Sequence, residues 1–220
     1  MKHIISILLV TLFLSSVTQA KEINTNEVIK KMIKAYGGKS NLLKLNNYKQ
    51  VWNIEFMTSD KSGFDKREVE MPYKLRTEIV YPERTEVRMI NKNSATKIFG
   101  GKKTPIKGPM FNAVKLQLMR LYHPLVLKNK LKDLTLTQNK KQYIFILKNG
   151  NLTVEYVVSK KTYLIEKAIG RLKMGLHQMQ FLTRYEDFRS KGGVLVPHKE
   201  IKFVGGMNTA VMVLKEMKFK

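Results

Sequence analysis

The feature that most constrains this chain is a long succession of short segments with period-two alternation, each closed by a turn signal. Trp52, Ile54 and Phe56 alternate with Asn53 and Glu55, which puts the three apolar side chains on one face of a strand, because successive Cβ atoms point to opposite sides. Segments 64–71, 74–81, 84–90 and 95–99 follow, separated by 59–63, Pro72-Tyr73, Pro82-Glu83 and the polar turn 91–93. The first of these alternates less cleanly than its neighbours. A second series, 134–137, 142–148, 152–158, 163–170, 178–188, 194–203 and 209–219, runs to the end. Asn149-Gly150-Asn151, Lys191-Gly192-Gly193 and Gly205-Gly206 are tight-turn signals within it. Short strands at roughly ten-residue spacing predict an antiparallel meander of about a dozen strands.

Two helical stretches interrupt the pattern. The first follows a cap at Asn24 or Thr25, with Val28, Ile29, Met32, Ile33 and Tyr36 at helical spacing, Lys30, Lys31 and Lys34 opposite, and Gly37-Gly38 at its end. The second starts at Gly108-Pro109, with proline in the first turn. It is apolar on more than one side: Phe111, Val114, Leu118 and Leu121 mark one face, flanked by Met110, Met119 and Tyr122. That exceeds what packing on one sheet requires, so this helix is expected inside a cup of strands, with room for an apolar ligand. His123-Pro124 should end or kink it, and 125–131 adds a short second piece. No linker or repeat divides the chain, so 21–220 is expected to be one domain.

Residues 1–20 read as a cleavable secretory signal peptide. Lys2 supplies the positive start, Ile4 to Leu14 an apolar run broken only by Ser6 and Thr11, and Thr18 and Ala20 the small-residue cleavage site. A run of about 11 residues is short of the roughly 20 that span a bilayer. Export to the periplasm with cleavage near Ala20 is the expectation.

Charge and residue usage narrow the function classes. The formal net charge is +24, carried by 33 Lys and only 8 Arg. Base and phosphate recognition favours the Arg fork and concentrates charge in one stripe. Here Lys is scattered from Lys21 to Lys220, so the reading is a solvated surface attracted to an anionic membrane, at about 1 kcal/mol for each nearby Lys, and not nucleic acid. There is no cysteine, which excludes disulfides, a thiolate metal site and a cysteine nucleophile.

No G-x-S-x-G elbow or H-E-x-x-H helix occurs, and Gly100 to Thr104 lacks phosphate-loop spacing and reads as a basic loop. His123, His177 and His198 lie in separate segments, with His198 read as a surface residue at a strand start. Glu186 and Asp187, as strand neighbours, point apart and cannot share a proton. No enzyme activity, metal or cofactor is expected. The eleven Met after residue 20 suit a core or a surface that accepts varied apolar partners.

With these elements in order, the chain resembles a known family. "KAYGGKSNLLKL", "YKQVWNIEF", "VEYVVSKKTYLIEKAIG" and "RYEDFRSKGGVLVPHKEIKFVGG" are similar to phrases of the LolA-like proteins, the outer membrane lipoprotein-sorting family in its broad sense. The likeness covers about 25–219 in element order and is closer to the uncharacterised members. It implies a mainly β protein with helices, a strongly curved antiparallel sheet forming an unclosed barrel of about 11–12 strands under a helical lid. The implied partner is an acylated lipid or lipoprotein, with an anionic membrane surface or an inner or outer membrane export complex at either end of the route. Trp52, Ile54 and Phe56 are then expected on the inner sheet face, and Phe111, Val114, Leu118 and Tyr122 on the lid. The alternative is an envelope protein-binding scaffold with a filled cavity and no ligand.

Overall fold

The computed structural model describes residues 24–59 and 61–220; the expected signal peptide lies outside them. Asn24 caps the first helix, α1 (Thr25–Ala35), its side chain accepting from the backbone N–H groups of Asn26 and Glu27 at 3.0 and 3.2 Å. Val28, Ile29 and Met32 form its buried face. Gly37 ends it at φ +104, where a Cβ would stand 2.1 Å from the carbonyl oxygen of Gly193. Only glycine lets the chain pass this close to that turn. A short α2 (Lys39–Leu42) leads into the sheet.

The first strand series is β1 (Asn47–Phe56), β2 (Lys61–Glu70), β3 (Lys74–Val80), β4 (Thr85–Asn91), β5 (Ser94–Phe99) and β6 (Lys102–Ile106). Then come α3 (Gly108–Met119) and α4 (Pro124–Lys128). The second series is β7 (Leu134–Gln138), β8 (Gln142–Asn149), β9 (Leu152–Ser159), β10 (Ile165–Met174), β11 (His177–Lys191), β12 (Val194–Val204) and β13 (Met207–Phe219). All thirteen make one antiparallel sheet in the order β6-β5-β4-β3-β2-β1-β13-β12-β11-β10-β9-β8-β7. Each series is a meander. They join where the first strand of one pairs with the last strand of the other, Trp52 opposite Leu214 and Phe56 opposite Ala210.

The outer edges of β6 and β7 have no partner strand among the described residues, so the barrel is unclosed. The curvature brings α3 into contact with β4 and β5 from one wing and with β9 and β10 from the other. The core therefore lies inside the curl, with Trp52, Phe145 and Tyr156 its largest fully buried side chains. Burial of this kind contributes about 1.5–3 kcal/mol for each large apolar side chain. No helix among the described residues is long and apolar enough to cross a membrane.

Three local expectations need correction. The stretch read as a basic loop is a turn at Gly100-Gly101 followed by β6. Its sequence, KKTPI, has no alternation because four of its five residues are exposed. Lysine and proline are the residues that an edge strand tolerates. Tyr163, expected to open a strand, sits at φ +57 in the turn before β10. His198 lies in the middle of β12, half-buried, not at a strand start.

Candidate functional site

α3 has two unlike sides. Toward β10 it packs without a gap: a Cβ on Gly170 would fall 2.8 Å from Cγ of Leu116 and 3.0 Å from Cδ of Arg120. Tyr156 donates its hydroxyl to the carbonyl of Met119 at 2.7 Å, and Tyr185 donates to that of Arg120 at 2.9 Å. The Arg120 carbonyl at the helix end is thereby satisfied by a buried phenol, and that of Met119 accepts from Tyr156 as well as from the Tyr122 N–H. Burial raises the pKa of both hydroxyls, so they remain donors.

On its other side α3 stands off the sheet, leaving a cavity of about 600 Å³ against the inner faces of β1, β2, β3, β12 and β13. Ile54, Phe56, Ile79, Val114, Phe181 and Met212 supply its apolar wall. Much of the remaining wall is charged. Among the described residues Lys61, Arg67, Arg84, Arg88, Arg120 and Lys202 line it against the carboxylates of Asp65 and Glu83. At the mouth Tyr81 stacks on Phe56 at 5.0 Å, Arg84 lies over Tyr81 at 4.8 Å, and Lys61 pairs with Glu83.

The floor is a buried ion network on the inward face of the sheet. Arg67 donates through Nε to Asp65 at 2.7 Å and through both terminal nitrogens to the two oxygens of Glu200 at 3.1 Å. Lys202 reaches Glu200 at 2.5 Å and the hydroxyl oxygen of Thr183 at 3.2 Å. Arg120, at the C-terminal end of α3, donates to that same oxygen at 3.0 Å. Side chains of Asp65, Arg67 and Glu200 are 5%, 3% and 3% exposed, so the network is desolvated and held by its own geometry.

Burial opposes ionisation of Glu200, but Arg67 and Lys202 together outweigh it and hold the carboxyl at about 2. Burial pushes Lys202 down to about 8, with Glu200 offsetting part of the shift. The Arg67 guanidinium rests over Trp52 at 5.2 Å, and Trp52 donates to Gln50 at 3.1 Å.

Of the residues singled out from the sequence, Ile54, Phe56 and Val114 line the cavity. Trp52 lies behind the wall, fully buried beneath Arg67. Leu118 is buried in the core and Phe111 packs against the core, half-buried. Tyr122 lines a separate cavity of about 80 Å³ with Tyr36, Tyr48 and His123, its hydroxyl 3.3 Å from the carbonyl of Pro72. Trp52, Phe111, Leu118 and Tyr122 were expected to line one apolar cavity together with Ile54, Phe56 and Val114. The structure divides them because α3 turns most of its apolar surface to the two wings.

The charged floor went unread. Its trace is the irregular alternation of 64–71: the inward positions of β2 are Asp65, Arg67 and Val69, so two of three carry charge where an apolar residue was sought. Glu186 and Asp187 take separate cations, Arg184 and Lys199 for the first and Arg189 for the second. Among the described residues no group of three or more His, Cys, Asp or Glu side chains could hold a metal ion.

No protein-family model matches the sequence, and no curated protein matches it. Solved structures do. A LolA superfamily protein from Nitrosomonas europaea superposes with a TM-score of 0.58 at 13% identity, over 90% of this chain and 94% of that one. A domain described as an outer membrane lipoprotein-sorting protein, from Vibrio parahaemolyticus, gives 0.53 at 9%, over 88% and 91%. A DUF1329 family protein from Desulfovibrio piger gives 0.52 at 9%, over 89% and 92%. An open thirteen-stranded sheet curled around α3, aligned along nine-tenths of its length with these structures, has the fold of the LolA superfamily.

Proposed function

We propose that the protein is a periplasmic carrier that shelters the acyl part of a lipid or lipoprotein between the curved sheet and α3. The observation that carries this reading is the open cavity of about 600 Å³, within the roughly 300–1,000 Å³ usual for ligand pockets. An interior filled by side chains, as the scaffold alternative requires, would not leave that volume. The energetics support a container: at about 0.8 kcal/mol for each buried CH₂, sequestering a chain of about 14 carbons is worth roughly 11 kcal/mol. The likeness to a domain described as a lipoprotein-sorting protein and the signal-like residues 1–20 agree with a role in the envelope. The lysine-covered exterior suits an anionic membrane at loading or release. The role is binding, not catalysis.

Native mass spectrometry of protein purified from periplasm tests it. A bound lipid mass, or saturable uptake of a fluorescent fatty acid by emptied protein, is expected. A consistently empty protein that takes up no such probe overturns the reading.

A further inference from the structure

The charges at the cavity floor do not balance. Three cations, Arg67, Arg120 and Lys202, face two carboxylates, Asp65 and Glu200. Both carboxylates are engaged by Arg67, and Glu200 also holds Lys202. Among the described residues Arg120 is left with no carboxylate. Its fixed contacts are the Thr183 hydroxyl through one terminal nitrogen and the Phe181 ring at 5.7 Å, and its buried Nε has no hydrogen-bond partner.

Arg120 and Lys202 thus converge on a single neutral oxygen, that of Thr183, at 3.0 and 3.2 Å. Two cations directed at one hydroxyl in a desolvated pocket repel each other, and of the two only Lys202 has a counter-charge, Glu200. A hydroxyl can accept from both but carries no charge to offset them. An anion in the cavity that Arg120 and Lys202 both line would supply the missing charge and accept from the guanidinium.

We infer that this floor receives the anionic head of a single-chain amphiphile, a carboxylate or a phosphate ester, held between Arg120 and Lys202. The chain lies along the apolar wall of Ile54, Phe56, Val114 and Phe181. The inference rests on the carrier reading and deepens it: a neutral acyl chain alone uses only half of the cavity lining. The cavity selects a molecule with charge at one end and hydrocarbon along the other, and it selects the sign of that charge.

The test is displacement of N-phenyl-1-naphthylamine from the emptied mature protein by dodecanoate, dodecyl phosphate, dodecanol, dodecyltrimethylammonium and inorganic phosphate. Both anionic amphiphiles should bind on the order of ten- to a hundredfold more tightly than dodecanol, as charge-assisted hydrogen bonds imply. The cationic one should bind weakest. In Arg120→Met the advantage of anion over alcohol should fall to within about threefold, and Arg120→Lys should restore part of it.

Equal binding of anion and alcohol to the wild-type protein overturns the head-group inference and leaves the carrier reading standing. Competition by inorganic phosphate as strong as that of dodecyl phosphate assigns the floor to a free anion and likewise overturns it. If none of the chains displaces the probe, both readings fall. The comparison of ligands on the wild-type protein decides the matter even if a variant does not fold.

Discussion

The two wings of the sheet start from the same strand geometry and finish as different materials. In β7 to β10 the inward positions are Leu136, Phe145, Leu147, Val154, Tyr156, Ala168, Gly170 and Leu172, and α3 settles onto them. In β2 and β12 the inward positions include Asp65, Arg67, Glu200 and Lys202, and α3 stands clear of them although it touches β4 and β5 farther along the same wing. The difference shows that helix contact is governed by side-chain size and charge at the crossing point. Gly170 and Ala168 let a helix close in, whereas a hydrated or paired guanidinium keeps it away. One helix can seal a barrel and bound a pocket at the same time if its two sides meet unlike wings.

The most severe way to break this comparison is to remove the keystone of the charged wing. Arg67→Met leaves Asp65 and Glu200 buried without their main partner and should cost about 3–5 kcal/mol, as broken buried pairs do. Phe145→Ala in the dry wing should cost a similar amount, about 3–5 kcal/mol, through its cavity. Urea denaturation of the two variants checks the match. A near-neutral Arg67→Met would show that the charges are hydrated and not an interlocked network.

Acid titration should separate the two regions by pH. His123 is 5% exposed at the start of α4, its Nε2 3.0 Å from Asn46. Burial lowers its pKa to about 4. Because the folded state resists a proton that the unfolded chain accepts near 6.5, stability falls as pH drops from 6.5 toward 4, by roughly 3 kcal/mol in all. Glu200, held at about 2, works in a lower window. The stability it gives is present above about 4.5 and is lost as pH falls from there toward 2. Chemical denaturation between pH 7 and 5 should therefore show a slope that His123→Phe reduces, the remainder including His198, whose pKa burial also lowers. A wild-type slope of zero in that range would mean that His123 is accessible to protons.

The gentlest probe acts on the dry contact. Gly170→Val places carbon within 3.0 Å of Leu116 and Arg120 and should destabilise by about 1–3 kcal/mol as overpacking. Since α3 can yield only toward the cavity, the same variant should lower ligand capacity. A Tm fall with unchanged lipid uptake would show that β10 moves instead of α3.

These contrasts were unequally legible in the sequence. α1 was readable because its cap, its 3.6-residue period and its closing glycines agree over one short stretch. Strands such as β1 and β9 were readable because apolar alternation is a local signal. β6 was not, since an exposed edge strand has no face to bury and so carries no alternation. Of the candidate site, Ile54, Phe56 and Val114 were named from pattern, while Arg67, Arg120, Glu200 and Lys202 were passed over. A charged side chain at an inward position looks, in sequence, the same as one facing water.

By itself the sequence determined the strand-and-turn rhythm, the insertion of one helix apolar on more than one side between two meanders, the absence of cysteine chemistry, and the strongly basic charge. Those are properties of neighbouring residues and of sums over the chain. Only the tertiary structure decided that β1 pairs with β13, that α3 leans on β10 and away from β2, and that Arg67 meets Glu200 across 133 positions of chain. Partners so distant are selected by the closing of the whole sheet. The charge at Arg120, left without a carboxylate partner among the described residues, is a remainder of that closure and has no counterpart in any local pattern.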